Sequence, residues 1–359
     1  MQIKNIADAD VSGKRVLVRA DLDVPIEDGK ISDDSRLKAL IPTLKFLQEH
    51  GTAHITVIGH LGRPGGKVVE SLRTAPVAAH LKELGSGDVE VLENLRFDPR
   101  EESNDEGFAK ELATHGDVFV NEAFANCHRA HASIVGIPKF LPSFAGLQLQ
   151  KEIEKLTSAL VPPAKSVAII GGAKFETKVP LLSKLTNMYP QVLVGGALAN
   201  DLLKVRGWPV GDSLVSQTPV PDAIAADDKI LIPTDAAIFN KETHMGRTAP
   251  VSDVRIGEQF VDIGSQTFAA WGEIIKASEF VLWNGPMGVY EEGYIEGTDA
   301  IAKAIESSRA HAVIGGGDTA AAIAKVSLDS ARVFISTGGG AMLEFLVQGT
   351  LPGIEALKS

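Results

Sequence analysis

Lys174 and Lys178 stand four residues apart, just after an apolar run and a Gly171-Gly172 break, and the chain's chemistry can be read outward from them. Glycine at the end of a buried strand lets the backbone turn tightly. A helix starting there would present both lysines on one face of its first turns. Two cations at a helix N-terminus oppose its dipole unless an anion lies between them. The pattern is not Gly-x-x-x-x-Gly-Lys-Ser/Thr. It therefore marks a phosphate site of another kind, or a surface lysine pair after a sharp turn.

Basic residues recur at comparable places in the first half of the chain. Arg36 falls in the first turn of a predicted helix, where a cation is electrostatically out of place; it is either a solvated arginine or one leg of an anion site. His60 and Arg63 lie in Gly59-His-Leu-Gly-Arg-Pro-Gly-Gly66, Arg96 in Glu93-Asn-Leu-Arg-Phe, and Arg129 in Glu122-Ala-Phe-Ala-Asn-Cys-His-Arg. Each follows a short apolar run, and in open α/β sheets ligands bind at that end of the strands. The formal net charge is −11, so clustered cations point to a small, multiply anionic ligand rather than to nucleic acid or an anionic membrane. Residues 127–131 also permit a zinc reading through Cys127, His128 and His131, but the spacing is loose and no second Cys/His pair supports it.

The elements that must hold these groups alternate between strand and helix. Apolar runs at 15–20, 55–58, 89–92 and 117–121 predict strands. Leu37, Leu40, Ile41, Leu44 and Leu47 repeat at helical spacing, with Asp33 or Asp34 as the cap and Gly51 closing the helix. Residues 148–160 form an amphipathic helix with Leu149, Ile153, Leu156 and Leu160 on its stripe, stopped by Val161-Pro-Pro. Beyond it, five apolar runs end in glycine: before Gly171-Gly172, Gly195-Gly196, Gly285, Gly315-Gly316-Gly317 and Gly338-Gly339-Gly340. One such glycine is a turn signal. Five in series at the ligand edge predict that a flat ligand and its phosphates approach the backbone closely. Residues 221–260 are less legible and read as a further strand, leading to Asp235, with a loop. No strand is followed by Gly-x-Gly-x-x-Gly, which disfavours a nicotinamide dehydrogenase.

A chain of 359 residues exceeds one typical core, so two domains are expected, 1–147 and 161–340, joined by the helix at 148–160. The expected architecture is α/β: two Rossmann-like domains, each a mostly parallel sheet flanked by helices, with a cleft between them. The first offers a basic pocket. The second offers glycine-rich strand ends, the lysine pair and Asp318. Together they predict phosphoryl transfer. One cysteine, no run approaching a membrane span and no leader-like start predict a cytoplasmic protein.

Asp21-x-Asp-x-Pro, His60-Leu-Gly-Arg-Pro, Glu93-Asn-Leu-Arg-Phe and His128-Arg-Ala-His resemble the amino-terminal signatures of the phosphoglycerate kinase family. Gly171-Gly-Ala-Lys, Trp283-Asn-Gly-Pro-Met-Gly-Val-Tyr-Glu, Gly315-Gly-Gly-Asp-Thr and Ser336-Thr-Gly-Gly-Gly resemble its carboxy-terminal ones. The resemblance runs in the family's order from about residue 12 to Leu351-Pro-Gly-Ile-Glu. It implies ATP and 3-phosphoglycerate interconverting with ADP and 1,3-bisphosphoglycerate, with Mg2+ on the nucleotide, in a monomer; the net charge already argues against nucleic acid and membrane as partners. By position, Asp21, Asp23, Arg36, His60, Leu61, Gly62, Arg63, Arg96 and Arg129 would hold 3-phosphoglycerate. Gly171, Gly172, Lys174, Lys178, Gly195, Gly196, Asn284, Pro286 and Glu291 would surround the nucleotide, with Gly316, Gly317, Asp318 and Thr319 at its phosphates and Asp318 on the metal. Arg36 and Lys178 would flank the phosphoryl group in flight. The resemblance also implies that the tail, about 341–359, returns to the first domain.

The chain departs from the family pattern at several points. Asp23 stands where asparagine is usual, Glu122 where aspartate is usual, Ala125-Asn-Cys where Gly-Thr-Ala is usual, and Ala197 ends a usual glycine triplet. Thr177 and Met342 are further changes, and the chain is shorter than most members. A second carboxylate beside an anionic substrate should repel it unless protonated or paired. These departures raise the alternative of a non-catalytic, nucleotide-binding relative. The charged groups that such a relative would lose first are all present.

Overall fold

The computed structural model describes residues 3–27, 29–173 and 175–358. The chain forms two compact units, Met1–Glu154 with Gln348–Ser359, and Lys155–Val347.

The first unit is built on five parallel strands in the order Glu90–Val91, His54–Ile58, Arg15–Arg19, Val118–Asn121, Ser143–Ala145. Its central strand is buried from Val16 onward, because the sheet is covered on both faces. Alternate side chains serve the two sides. Val16 and Val18 join one core cluster with Leu37, Leu40, Leu44 and Leu47 of the helix Ser35–Glu49. Leu17 joins another with Phe119, Phe108 and Leu112. Each buried leucine contributes on the order of 2 kcal/mol. Arg19 pairs in register with Ile58 on one side and Asn121 on the other, so three strands end level and the loops after them start side by side. The chain leaves the central strand for both edges in turn. That makes this end a topological switch point, where parallel sheets bind ligands.

The second unit repeats the plan with six parallel strands, in the order Ile230–Leu231, Gln191–Val194, Ser166–Ile170, Phe280–Asn284, His311–Gly315, Val333–Ser336. Its switch point lies between Ser166–Ile170 and its two neighbours. The segment read from sequence as one strand and a loop holds more than that. After the short strand Ile230–Leu231 comes a three-stranded antiparallel sheet, Met245–Pro250, Asp235–Asn240 and Glu258–Ile263. Its outer strand Met245–Pro250 is largely exposed, so it lacks the apolar run that marks a buried strand.

From Gln348 onward the tail belongs to the first unit. Leu351, Ile354 and Leu357 are fully buried, and the Gly353 N–H donates to the Cys127 carbonyl at 2.8 Å.

Candidate functional site

The loops after the level strand ends of the first unit bring six of the predicted residues into one group, five of them linked to one another by hydrogen bonds. Arg36, in the first turn of Ser35–Glu49, reaches back over the loop at 20–24. Its NH1 lies 3.2 and 3.1 Å from the two Asp21 oxygens and donates to the Asp23 carbonyl at 3.0 Å. The Gly62 N–H donates to Asp23 Oδ1 at 2.8 Å, and Arg96 NH1 donates to the Gly62 carbonyl at 2.7 Å. His60 Nε2 is 3.7 Å from Asp23 Oδ2. Gly62 takes a positive φ of 58° here, which lets both its backbone groups face the loop at once. Burial raises the Asp21 carboxyl above its ordinary range, against the pull of Arg36.

The electrostatics of this group are lopsided. Arg96 is buried, its Nε and NH2 have no hydrogen-bond partner, and Arg129 Nε is likewise buried and unpartnered. Arg96 Nε does lie 3.1 Å from a Glu102 oxygen, at ion-pair distance but out of alignment for a hydrogen bond. Burial pushes the Arg96 guanidinium below its ordinary range. Burial and the neighbouring Arg19 and Arg96 push the His60 imidazole far down as well, so the ring is neutral. His131 is driven to about 4 by burial and then by Arg96 and Arg19. Unpartnered buried donors are costly, and an anion with several oxygens would satisfy them together.

Arg63 stands apart, exposed on the loop that follows Gly62. Leu61 faces the hydrophobic core, so its side chain is no part of this group. Sequence reasoning passed over Arg19, a fully buried residue closing the central strand. Its signal was a charge inside a run buried on both faces, where an apolar side chain is the rule.

In the second unit a cavity of about 320 Å³ opens beside the switch point. Gly172, Gly196, Pro286, Glu291 and Asp318 line it, with an apolar wall that includes Leu203, Val251, Phe260 and Met287. Lys178 lies in the helix Phe175–Met188 and is buried, its Nζ donating to the Gly171 carbonyl and, at 3.0 Å, to Asn284 Oδ1. Burial lowers this ammonium to about 8. Asn284 in turn donates to the Gly315 carbonyl at 2.9 Å. Thr319 Oγ1 accepts the Gly285 N–H at 2.8 Å, so that hydroxyl ties the loop after Asn284 to the helix Gly317–Ala322. Lys174 lies outside the described residues.

The glycines in this unit answer first to one another. A Cβ at Gly171 would overlap the Pro286 carbonyl, and one at Gly196, whose φ is 62°, would lie 2.6 Å from the Gly172 nitrogen. Gly172 N–H donates to the Pro286 carbonyl and Gly196 N–H to that of Met287. Gly317, by contrast, has open space where a Cβ would stand. Close approach of backbone to backbone explains Gly171 and Gly196.

Cys127 is fully buried, its thiol pushed up to about 12 by burial and donating to the Ala123 carbonyl at 3.5 Å. Among the described residues no three His, Cys, Asp or Glu side chains are grouped so as to hold a metal ion, which removes the basis of the zinc reading. Asp318 is exposed at the cavity rim. An accessible carboxylate at this place suits a hard cation such as Mg2+ that arrives already bound to phosphate oxygens.

Comparison with known proteins agrees along the whole chain. The family model for phosphoglycerate kinase matches residues 6–91 and 80–349. The sequence is 44% identical to the phosphoglycerate kinase of Roseiflexus castenholzii over all of both chains. It is 41% identical to that of Moorella thermoacetica over 98% of each. Among solved structures, phosphoglycerate kinase from Coxiella burnetii superposes with a TM-score of 0.87 at 33% identity, covering 99% of this chain and 98% of that one. The enzyme from Pyrococcus horikoshii OT3 does so with a TM-score of 0.83 at 30% identity and the same coverage.

Proposed function

The chain belongs to the phosphoglycerate kinase family, and from that premise we infer which of its groups carry the transfer of a phosphoryl group between ATP and 3-phosphoglycerate. The first unit is the 3-phosphoglycerate-binding domain, and the second binds the nucleotide. The observation that carries this assignment is the set of buried, unpartnered donors on Arg96 and Arg129, beside Arg36, the Gly62 loop and neutral His60. A ligand bearing a carboxylate and a phosphate has the oxygens to fill them, with Arg63 available from its exposed loop.

The acceptor in this reading is the carboxylate of 3-phosphoglycerate. A carboxylate with an ordinary pKa near 4 is already ionised at neutral pH, so no general base is needed. Its oxygen attacks the γ-phosphorus of ATP, the bond to the β-bridging oxygen breaks, and ADP leaves. Catalysis then consists of positioning and of compensating the charge on the group in flight. An ammonium has three hydrogens. Two of those on Lys178 are held by Gly171 and Asn284, which aims the third toward a phosphate oxygen. Arg36 would serve the same group from the acceptor side. Asp318 would hold Mg2+ on the nucleotide, where the ion supplies charge neutralisation to the phosphates. We read the protein as a cytoplasmic monomer, supported by its single unpaired cysteine and by the family it belongs to; no helix among the described residues is long and apolar enough to cross a membrane.

The test is a coupled assay with MgATP and 3-phosphoglycerate, in which a dehydrogenase consumes the bisphosphoglycerate. Lys178→Ala is expected to lower kcat by roughly 10²–10³-fold while the KM for MgATP changes little, since its contact strengthens in the transition state. Unchanged kcat with weakened binding of both substrates would refute the role given to Lys178. A wild-type protein that binds MgATP without turnover would make it a non-catalytic relative.

A further inference from the structure

Beneath the basic group lies a chain of four buried polar side chains, three of which the reading above does not use. Glu101, Ser133 and Arg19 are fully buried, and His60 is 3% exposed. Both Glu101 oxygens are occupied by Ser133, one by its N–H at 2.9 Å and one by its hydroxyl at 2.6 Å. The same hydroxyl oxygen accepts the Arg19 Nε–H at 2.8 Å. Arg19 NH1 donates to the Ala20 carbonyl, and NH2 lies 3.1 Å from His60 Nδ1.

The chemistry of this last contact has one solution. A guanidinium can only donate, so Nδ1 must accept, and a neutral imidazole then carries its proton on Nε2. That nitrogen is the one on the Asp23 side of the ring. A proton on Nδ1, in the neutral Nδ1–H tautomer or in the imidazolium, would set two donors against each other. Glu101 balances the buried guanidinium through a single hydroxyl, which holds it without taking it away from His60. The chain therefore runs from a carboxylate, through a serine and an arginine, to one nitrogen of one histidine.

We propose that Arg19 is a positioning residue for the transfer reaction, holding His60 as the neutral Nε2–H tautomer so that it presents a single N–H donor to the anionic substrate. This rests on the assignment of His60 to the 3-phosphoglycerate site. The benefit is a donor whose charge state does not change across the physiological range, beside arginines that already supply the positive charge.

The experiment is a long-range 1H–15N spectrum of [15N]histidine-labelled protein, with the His60 resonances identified by their loss in His60→Gln. In the wild type Nδ1 is expected to be bare and Nε2 protonated, unchanged from pH 8 down to 5.5. A protonated Nδ1, or titration within that window, overturns the proposal without any further variant. In Arg19→Met the Nδ1–H tautomer should appear, and the KM for 3-phosphoglycerate should rise about tenfold with the KM for MgATP unchanged. Arg19→Lys, which keeps a donor, should restore the Nε2–H tautomer and most of the affinity. An Arg19→Met protein that keeps the wild-type tautomer, or loses both affinities equally, assigns Arg19 to folding alone. If His60→Gln leaves the KM for 3-phosphoglycerate unaltered, the placement of His60 in the substrate site fails, and the proposal with it. If that KM rises in His60→Gln but the tautomer is indifferent to Arg19, only the proposal fails.

Discussion

At the scale of single residues, Asp23 is the departure with the clearest consequence. Its Oδ1 accepts the Gly62 N–H, its carbonyl accepts from Arg36, and its Oδ2 makes no closer approach than 3.7 Å to His60. The structural work is thus done by one oxygen and the backbone. An asparagine keeps both, while the second oxygen adds only negative charge beside an anion site. The side chain is 40% exposed, so solvent screens that repulsion to about 1 kcal/mol. Asp23→Asn is expected to lower the KM for 3-phosphoglycerate about fivefold with kcat little changed, as read by steady-state kinetics. Weaker binding in Asp23→Asn would mean that the second oxygen contacts the substrate, through a proton or an arginine. Asp23 was legible as a departure because the resemblance supplied a pattern to depart from. Arg19 was not, since a lone arginine in an apolar run looks like a strand end and its side-chain partners, Ser133 and His60, come from two distant segments.

The helix Leu147–Leu160 shows what elements add to this. Its amphipathic stripe was visible in the sequence, but what anchors its start was not. The Leu147 N–H donates to Thr43 Oγ1, that of Gln148 to Glu122 Oε1 and that of Leu149 to Glu122 Oε2. The Thr43 hydroxyl also donates to Glu122. Three of the helix's orphan amides are satisfied by residues far away in sequence, a form of capping no local pattern encodes. Thr43 sits two turns along the helix that opens with Arg36, so the anchored start and the anion site share a scaffold. Burial pushes the Glu122 carboxyl up to about 7 from an ordinary 4.5, against these three donors. Because the folded state then holds the proton more tightly, this stabilising contribution is full below pH 4.5 and is lost as the pH rises to 7. Glu122→Gln removes that slope. Its stability relative to wild type should therefore increase by roughly 3 kcal/mol between pH 4.5 and 7, and stay level above. Urea unfolding followed by circular dichroism at several pH values measures this directly. A constant difference would mean that Glu122 is ionised throughout, with the helix N-terminus as its counter-charge. The antiparallel sheet at 235–263 escaped reading for a related reason. Its strands gain their partners from one another and leave one edge to solvent, so they carry neither a continuous apolar run nor a strict alternation.

For the molecule as a whole, the parallel sheets were legible because strands buried on both faces must be apolar throughout and must turn at their ends. The order of motifs along the chain then gave the family. The series of glycines has a second cause besides a ligand: Gly171 and Gly196 are needed for backbone packing whether or not one arrives. The assignment of 3-phosphoglycerate to the first unit and the nucleotide to the second rests on the resemblance and on the residues each unit carries, and composition offers a way to test it. All three tryptophans, Trp208, Trp271 and Trp283, belong to Lys155–Val347, and two of them are buried in its core. Tryptophan fluorescence therefore reports the second unit and is silent on the first. A ligand that binds only the native state stabilises it by about 2.7 kcal/mol at a hundred times its Kd. For a unit of this size that raises the midpoint by roughly 5–10 °C. MgADP at that concentration should move the tryptophan-reported thermal transition by this amount. If 3-phosphoglycerate alone moves that transition and MgADP leaves it in place, the substrates have been assigned to the wrong units, and the unpartnered donors of Arg96 and Arg129 await a nucleotide phosphate instead.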